Sequence, residues 1–363
     1  MGVVKPILFL VVLALSTVTP ANSPTAIGIT PNRFANDPAV PEILLERFQQ
    51  TLDVGVSFVV GESTWSALEP TAGHFELGNI AYLMQVARQT GLPVHYTVRI
   101  IDNVRRGLPE DLKTRAFDDP ETIARMIRLM DTLAPMMKGQ VQWLTLGYEV
   151  DPYFENHSQE INAFVNLYKV AADRIKTGVP GIRVGATMTF FGIDRLQDSL
   201  LPLNQEMDYI ALTYCPYSPG FKAIEPAGLP EDFKRMKLVA AGRKIVLQEI
   251  AYPTSPLNNG SAEKQAAFYQ LAFEQFRLDP HTFEAANFMV LADLSDKDAT
   301  SFANFYGLDL AEFKSLLQTL GMFDGLGAPK PAWDVMVKNL RLQRPVKKLR
   351  RAAKSSTASF PGF

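Results

Sequence analysis

The sequence predicts a single-domain α/β protein built as a closed (β/α)₈ barrel of the TIM type. Eight short apolar or β-branched runs alternate with stretches of helical period along the 363 residues. Strands that alternate with helices imply parallel pairing through right-handed crossovers, and eight such units are the number that closes a barrel. The predicted strands cover residues 26–30, 55–61, 94–101, 141–147, 182–190, 209–214, 244–249 and 286–293.

The predicted helices lie between these strands and are bounded by capping residues. Asp119, Ser158 and Ser261 have side chains that cap helix N-termini, and Gly91, Gly178 and Gly242 stand where helices are expected to stop. The predicted helices cover residues 41–52, 79–89, 120–137, 159–176, 231–241 and 262–277.

The pattern within the third predicted strand favours closure of the sheet. Val94, Tyr96 and Val98 share one face, whereas His95 and Arg99 lie on the other. An open parallel sheet is apolar on both faces, but the interior of a small barrel tolerates polar side chains, so we expect His95 to lie inside the barrel. A doubly wound open sheet is the alternative, and it is disfavoured because no glycine-rich nucleotide-binding motif follows the first strand.

Composition excludes several classes of protein. The 36 basic and 38 acidic side chains nearly balance, which argues against a nucleic-acid-binding protein. Cys215 is the single cysteine, so an intramolecular disulfide or a zinc ribbon is excluded. The four histidines show no metal-ligand spacing, and we therefore predict no metal and no other cofactor. We expect the protein to be a monomer.

The chain is predicted to begin with a secretory signal at residues 1–23. Lys5 precedes an apolar run at 6–18 that is followed by small residues. This run is shorter than the roughly 20 residues that span a bilayer, so cleavage near residue 23 and export to the periplasm or the medium are expected. An uncleaved anchor is the alternative. The barrel domain would then cover residues 24–340.

The last segment, residues 341–363, carries basic side chains and no acidic ones. We predict a solvated tail without fixed structure. Weak association with an anionic polymer or a membrane surface is the alternative, because clustered positive charges attract such surfaces.

Acidic and aromatic residues gather where the predicted strands end, which is where barrels of this type place their chemistry. Carboxylates accept hydrogen bonds from sugar hydroxyls, and aromatic rings cover the apolar faces of pyranoses, so a carbohydrate partner is predicted. Trp65 could instead pack a loop, and Arg99 could form a structural ion pair. The predicted substrate-binding residues are Trp65, Arg99, Asp102, Tyr148, Asp151, Tyr153, Tyr214, Tyr217, Tyr252 and Asp293.

Two glutamates are the candidate catalytic residues. Glu149 ends the fourth predicted strand and Glu249 ends the seventh. A buried carboxylate is costly unless it has a partner, so two at the open end of one barrel suggest a joint role. In glycoside hydrolysis one carboxyl group protonates the leaving oxygen and the other attacks the anomeric carbon. A salt-bridged structural acid is the alternative for each.

Four segments resemble motifs of the clan A retaining glycoside hydrolases. Residues 146–151, Leu-Gly-Tyr-Glu-Val-Asp, resemble the strand-four Gly-Asn-Glu motif, and residues 247–253, Leu-Gln-Glu-Ile-Ala-Tyr-Pro, resemble the strand-seven nucleophile motif. Residues 65–73 resemble the Trp-x-x-x-Glu-Pro-x-x-Gly segment after strand two, and residues 329–333 resemble the closing Lys-Pro-Ala-Trp. The resemblance implies that Glu149 is the acid/base and Glu249 the nucleophile of a retaining hydrolase acting on a β-linked glycan.

The sequence departs from the clan pattern at three places. Tyr148 replaces the asparagine that contacts the sugar 2-hydroxyl, Ala251 replaces the glycine after the nucleophile, and residues 288–293 lack the usual tryptophan. A phenol cannot occupy the asparagine position unchanged, so either Tyr148 points elsewhere or the sugar sits differently. A non-catalytic carbohydrate-binding protein on the same barrel is therefore the main alternative. A lyase or isomerase is disfavoured because no phosphate-binding glycine loop is present.

Overall fold

The structure, a computed structural model, describes residues 25–38 and 40–340. The predicted signal segment at 1–23 and the basic tail at 341–363 lie outside the described residues and stay predictions. Within the described residues, eight barrel strands follow one another in the expected order. They are β1 (Ala26–Ile29), β2 (Val59–Thr64), β3 (Val94–Asp102), β4 (Val141–Tyr148), β5 (in two parts, Arg183–Gly185 and Thr187–Thr189), β6 (Ile210–Tyr214), β7 (Ile245–Ile250) and β8 (Phe283–Phe288).

Neighbouring strands pair in parallel within two runs of the barrel. One run of pairs is β2-β3-β4 and the first part of β5, and the other is β1-β8-β7-β6 and the second part of β5. The runs also meet at β1, where the Ser57 backbone N–H donates to Ile27 O (2.7 Å) and the Ile27 N–H donates to Ser57 Oγ (2.8 Å). The predicted (β/α)₈ barrel is therefore confirmed.

In the part of the chain that the structure describes, eight helices surround the barrel, one after each strand. They are α1 (Pro41–Val54), α2 (Gly78–Thr90), α3 (Pro120–Met137), α4 (Ile161–Gly178), α5 (Leu201–Glu206), α6 (Leu229–Ala240), α7 (Ala262–Leu278) and α8 (Pro331–Leu340). Further short helices and a hairpin lie in the loops at the carboxyl ends of the strands. Across residues 25–38 and 40–340, no helix is long and apolar enough to cross a membrane.

The helix caps follow the predictions in part. Asp119 and Ser261 cap α3 and α7 through their side chains, and Gly91 follows α2 in the left-handed conformation. The prediction for Ser158 is wrong, because this residue begins a separate 3₁₀ turn and α4 starts at Ile161 without a side-chain cap. Ala241, rather than Gly242, is the first left-handed residue after α6.

The eighth strand lies closer to the N-terminus than predicted. It ends at Phe288, whereas the apolar run from which it was predicted continues to residue 293. Val290, Leu291 and Ala292 extend the run because they are buried, although they lie in the loop after β8 and not in the sheet. A run of buried residues does not by itself distinguish a strand from a packed loop.

The barrel interior contains a layer of hydrogen-bonded polar side chains. His95 Nε2 bonds with Thr145 Oγ1 (2.7 Å), which in turn bonds with the Tyr209 hydroxyl (2.9 Å). Burial lowers the pKa of His95 to about 3, so the imidazole is neutral. The predicted interior position of His95 is confirmed, and this layer forms a filled floor below the mouth of the barrel.

The segment at residues 65–73 forms a buried ionic cluster beside α3. Trp65 Nε1 donates to Glu69 Oε2 (2.9 Å), the Gly73 N–H donates to Glu69 Oε1 (2.9 Å), and Arg125 Nε lies 3.1 Å from the same carboxylate. Arg125 also pairs with Asp111. Because Trp65, Glu69 and Arg125 are fully buried, this cluster anchors the loop after β2 to the helix layer.

Replacing Arg125 with methionine is expected to lower the free energy of unfolding by about 3–5 kcal/mol. The substitution leaves the Glu69 carboxylate buried without its cation, and breaking a buried ion pair from one side is strongly destabilising. Urea unfolding followed by circular dichroism measures the change. Arg128→Met on the exposed face of α3 is the matched control, and equal stability of the two variants would contradict the prediction.

Candidate active site

Glu149 stands at a sharp turn where β4 runs directly into the helix Val150–Asn156. Gly147 and Glu149 have positive φ angles of 96° and 46°. A Cβ at position 147 would lie 2.7 Å from Val150 Cγ1, so glycine is required there. Glutamate rarely adopts the left-handed conformation, which costs about 1–2 kcal/mol. The turn places the Glu149 side chain at the mouth of the barrel, and backbone strain of this kind is common at functional sites.

Two side chains donate hydrogen bonds to the Glu149 carboxylate. Thr213 Oγ1 donates to Oε1 (2.5 Å), and Asn103 Nδ2 donates to Oε2. Burial raises the pKa of Glu149, while these two donors act in the opposite direction because they stabilise the anion. Asn103 was missed as a site residue, although its position directly after β3 was the available signal.

Glu249 faces the same space from β7. It is paired with Thr213 in the register of β7 and β6, and the Tyr148 hydroxyl donates to its Oε1 at 2.9 Å. Burial, and then the charge of nearby Glu149, raise the pKa of Glu249 to about 8. The structure thus brings Glu149 and Glu249 together. Thr213 lies beside Glu249 in the sheet and donates to Glu149, and Tyr148 reaches from β4 to Glu249.

Arg99 connects Tyr148 to the acidic end of β2 and β3. Its guanidinium lies 4.0 Å from the centre of the Tyr148 ring, donates to Asp102 Oδ1 (2.9 Å) and forms an ion pair with Glu62. The Glu62 side chain is 45% exposed, so one carboxylate of this group faces solvent. Arg99 and Asp102 were predicted site residues, whereas Glu62 was not among them.

Replacing Tyr148 with phenylalanine is expected to reduce the kcat/KM of any hydrolysis at this site by about 10- to 100-fold. The variant keeps the ring under Arg99 but removes a hydrogen bond to a carboxylate, which is worth about 1.5–3 kcal/mol. The pKa of Glu249 should rise further, because a donor to its anion is lost. Steady-state kinetics across pH test this, and unchanged kinetics with an unchanged pH profile would show that the contact has no role.

Asp151 and Tyr153 hold the loops together instead of facing a ligand. Asp151 accepts from the Thr189 N–H (2.7 Å) and Oγ1 (2.5 Å), and burial raises its pKa to about 7. The Tyr153 hydroxyl lies between Arg106 Nε (2.8 Å) and Glu160 Oε2 (2.7 Å). Their predicted role in the cleft is corrected, because both polar groups are committed to neighbouring loops.

The cleft prediction is also wrong for four other residues, which lie elsewhere: Trp65, Tyr214, Tyr252 and Asp293. Trp65 belongs to the buried cluster with Glu69. The Tyr214 hydroxyl donates to Asp232 on α6 (2.7 Å), and the Tyr252 hydroxyl donates to Ile224 O (3.0 Å). All three rings are at most 1% exposed, so they offer no surface to a sugar.

Asp293 forms a structural ion pair with the lysine of the segment at 329–333. Lys330 Nζ lies 2.7 Å from Asp293 Oδ1, which also accepts from the Gly321 N–H (2.8 Å). Burial raises the pKa of Asp293 to about 6 despite the lysine. The contact joins the end of the long loop after β8 to its beginning.

Two further tyrosines lie within the electrostatic influence of Glu149. Tyr217, which was predicted, and Tyr306, which was missed, are half-buried. Burial raises the pKa of both phenols, and the charge of Glu149 contributes to each. Burial, and then Glu249, also raise the pKa of Cys215, so this thiol stays protonated. Within the described part of the chain, no three His, Cys, Asp or Glu side chains are grouped as a metal site.

Comparisons with known proteins find similarity at the level of structure. No family model and no curated protein matches the sequence. GH5_18 from Bifidobacterium longum subsp. longum aligns with a TM-score of 0.65 at 16% identity, over 90% of this chain and 81% of that one. GH5_18 from Streptomyces cattleya, solved with Manβ1-4GlcNAc, aligns at 0.64 and 17% identity, over 90% and 83%.

A xylanase has the same architecture. Xylanase 10B from Thermotoga petrophila, solved with xylobiose, aligns with a TM-score of 0.62 at 15% identity, over 88% of this chain and 94% of that one. At identities this low the similarity concerns the fold. The chain therefore shares the (β/α)₈ barrel of these carbohydrate-active proteins along nearly its whole described length.

Proposed function

We propose that the protein is an exported, retaining glycoside hydrolase that cleaves a β-linked glycan. The observation that carries the proposal is the pair Glu149 and Glu249 at the carboxyl ends of β4 and β7, joined through Thr213 and Tyr148. Two carboxyl groups that flank a glycosidic bond can cleave it by double displacement, one as acid/base and the other as nucleophile. Two of the solved structures of the same fold carry disaccharide ligands, which supports a glycan as the substrate.

In the proposed mechanism, Glu249 attacks the anomeric carbon while Glu149 gives its proton to the leaving oxygen. The glycosidic bond breaks, and an ester between the sugar and Glu249 forms. Glu149, now an anion, takes a proton from water, whose oxygen attacks the anomeric carbon and releases Glu249. Two inversions give net retention, and both carboxyl groups return to their starting protonation states.

The proposed activity requires one proton on the pair, and this predicts a bell-shaped pH profile. Below the lower pKa of the pair both groups are protonated, so Glu249 cannot attack. Above the upper pKa, about 8 from the burial of Glu249 beside Glu149, both groups are anions and no acid remains. We expect kcat/KM to fall above pH 8, as measured with an aryl glycoside whose own ionisation lies outside this range. Constant activity to pH 10 would contradict the assignment.

A non-catalytic carbohydrate-binding protein is the second candidate, and one observation favours it. Asn103 and Thr213 both donate to Glu149, whereas Glu249 accepts from Tyr148. These contacts stabilise the anion of Glu149, although the mechanism needs this residue protonated. The hydrolase is favoured because a purely binding site has no need for a second glutamate whose pKa is raised by burial and by the charge of the first.

The experiment that decides between the two candidates is a screen of the purified protein. Aryl glycosides, manno- and xylo-oligosaccharides and microbial polysaccharides are incubated with wild type and with Glu149→Gln/Glu249→Gln. Sugar release by wild type alone supports the hydrolase, whereas binding without release by either protein supports the binding protein. N-terminal sequencing of the mature protein tests export, for which cleavage near residue 23 is expected.

A further inference from the structure

The strand β7 carries one extra residue immediately before Glu249. Thr213 of β6 and the residue before it pair with Glu249 and Leu247, so Gln248 has no counterpart on that side. On the other side, the three steps from Leu247 to Ile250 match only two steps of β8. Two residues of one strand that oppose a single residue of the next form a β-bulge. Gln248 is therefore the bulged residue of β7.

The bulge decides which way the Glu249 side chain points. In a regular strand every second residue shares a face, so Glu249 would lie on the same face as Leu247. Leu247 and Ile250 both pack in the large core that the strands share with the helices, whereas Val246 packs in a separate cluster of strand residues inside the barrel. The extra residue puts Gln248 and Glu249 on the inner face together. Without it, Glu249 would face the helices instead of the mouth.

Buried polar side chains hold the extra residue from two sides. Gln248 O accepts a hydrogen bond from Asn287 Nδ2 of β8 (3.2 Å), and Gln248 Oε1 accepts one from Thr187 Oγ1 of β5. Asn287 Nδ2 also donates to Oγ1 of Thr30, the residue directly after β1 (2.8 Å). Gln248, Asn287 and Thr187 are at most 5% exposed. A bulge disrupts the backbone ladder locally, and the Asn287 amide supplies a hydrogen bond to the carbonyl at that point.

Stability alone does not explain an asparagine at position 287. Within the described residues, Asn287 Oδ1 is buried and has no hydrogen-bond partner, which is a costly state for a polar atom. A Cβ at Gly28 would lie 3.1 Å from this oxygen, so the space around it is filled. Leucine has the same branching and would leave no polar atom without a partner. The amide is therefore explained by the hydrogen bond that its nitrogen gives to the bulge.

We infer that Asn287 is a positioning residue for Glu249 and acts through the bulge at Gln248. Its amide fixes the residue that turns Glu249 to the mouth, where the Tyr148 hydroxyl donates to the carboxylate at 2.9 Å. Thr187 supports the same bulge from the side of β5. The effect on rate rests on the proposed function, in which Glu249 is the nucleophile. The effect on the position of the carboxylate does not require turnover.

Replacing Asn287 with leucine or alanine removes the amide and tests the effect on rate. We expect kcat to fall by about 10- to 100-fold with little change in KM, because a misplacement of about 1 Å costs about this much while the sugar contacts persist. Thr145→Val is the matched control, because it also removes buried hydrogen bonds of the barrel interior, to His95 and Tyr209, without touching the bulge. It should lower the melting temperature and keep the wild-type kcat. An unchanged kcat in the folded Asn287 variants overturns the inference.

Replacing Thr187 with valine tests the bulge without altering Asn287. The variant keeps the size of the side chain and removes the donor to Gln248 Oε1, so kcat should fall by about 3- to 10-fold. Groups that act through a shared partner are coupled, so the loss in the variant with both Thr187→Val and Asn287→Ala should be smaller than the product of the single losses. Losses that simply multiply would show that the two residues do not act through the same bulge and would overturn the inference.

Crystal structures of Asn287→Ala and Thr145→Val provide the test that needs no turnover. In Asn287→Ala, Glu249 Oε1 should no longer lie within hydrogen-bond distance of the Tyr148 hydroxyl, whereas Thr145→Val should keep this contact. An intact bulge with the contact unchanged in Asn287→Ala overturns the inference. A displaced Glu249 in this variant, together with a wild-type protein that releases no sugar from any glycan, would support the inference and refute the proposed function.

Discussion

Replacing Glu249 with alanine is expected to lower kcat by on the order of 10⁴-fold or more, a loss typical of removing a catalytic nucleophile. The variant cannot form the covalent intermediate, yet it loses only a half-buried side chain at the mouth of the barrel. Azide fits the vacated space and should restore part of the rate by direct attack on the anomeric carbon. The product would then be a glycosyl azide of inverted configuration, identified by NMR.

Removing the charge of Glu249 should also stabilise the folded protein. The folded-state pKa of Glu249, about 8, lies above its ordinary value of 4.5. The folded protein therefore holds the proton of Glu249 more tightly than the unfolded chain does. The stability that follows from this is fully present below pH 4.5 and is lost as the pH rises through 8. Glu249→Gln should melt at a higher temperature than wild type at pH 8. Glu231→Gln, whose side chain is 70% exposed, should change neither activity nor melting temperature. Full activity of a folded Glu249→Ala would remove this residue from the mechanism.

The barrel was predictable because its signals are local and repeated eight times. Alternation of apolar strands with capped helices sets the class of fold, and small errors at single boundaries leave the order unchanged. Glu149 and Glu249 were predictable for the same reason, since Glu149 directly follows an apolar strand and Glu249 is the last residue but one of another. Side-chain contacts such as that between Asn103 and Glu149 depend on how loops from different strands meet, which the sequence pattern does not show.

The tyrosines show where reasoning from strand ends fails. Successive residues of a strand face opposite sides, so Tyr214 points to α6 because its neighbour Thr213 points to Glu149. A place near a strand end therefore does not predict that a side chain faces the site unless the alternation of side chains along the strand is also considered. Tyr306 carried no signal, because it reaches the site from the end of a loop helix 18 residues after β8.

Tyr148 was recognised as a departure, but its role required the structure. The sequence left open whether the phenol points elsewhere or displaces the sugar. It points across the mouth to Glu249, and Arg99 covers its ring. Tyr148 therefore supplies a hydrogen bond that stabilises the Glu249 anion, against the burial that raises the pKa of this group.

Replacing Glu149 with glutamine is expected to separate substrates by their leaving groups. Poor leaving groups, such as sugar alcohols, need a proton from Glu149, and positioned acid catalysis contributes about 10²- to 10⁴-fold. Activated aryl glycosides leave without a proton, so formation of the glycosyl ester should be nearly unaffected. Water activation in the second step is impaired for both, and an initial burst of aryl alcohol followed by slow turnover should therefore be seen.

The geometry around Glu149 makes this result decisive for the choice between the two candidate functions. Glutamine keeps the size of the side chain, and its amide oxygen can still accept from Thr213 or Asn103, so folding and glycan binding should persist. If Glu149 acts as the acid, the ratio of rates on aryl and sugar leaving groups rises by the factor that proton donation supplies. If Asn103 and Thr213 instead keep Glu149 permanently ionised to bind a sugar hydroxyl, both rates fall together and no burst appears. Stopped-flow measurement of aryl alcohol release and chromatography of oligosaccharide cleavage distinguish these outcomes. A changed ratio of the two rates reports lost proton transfer, whereas an equal fall of both rates reports lost binding.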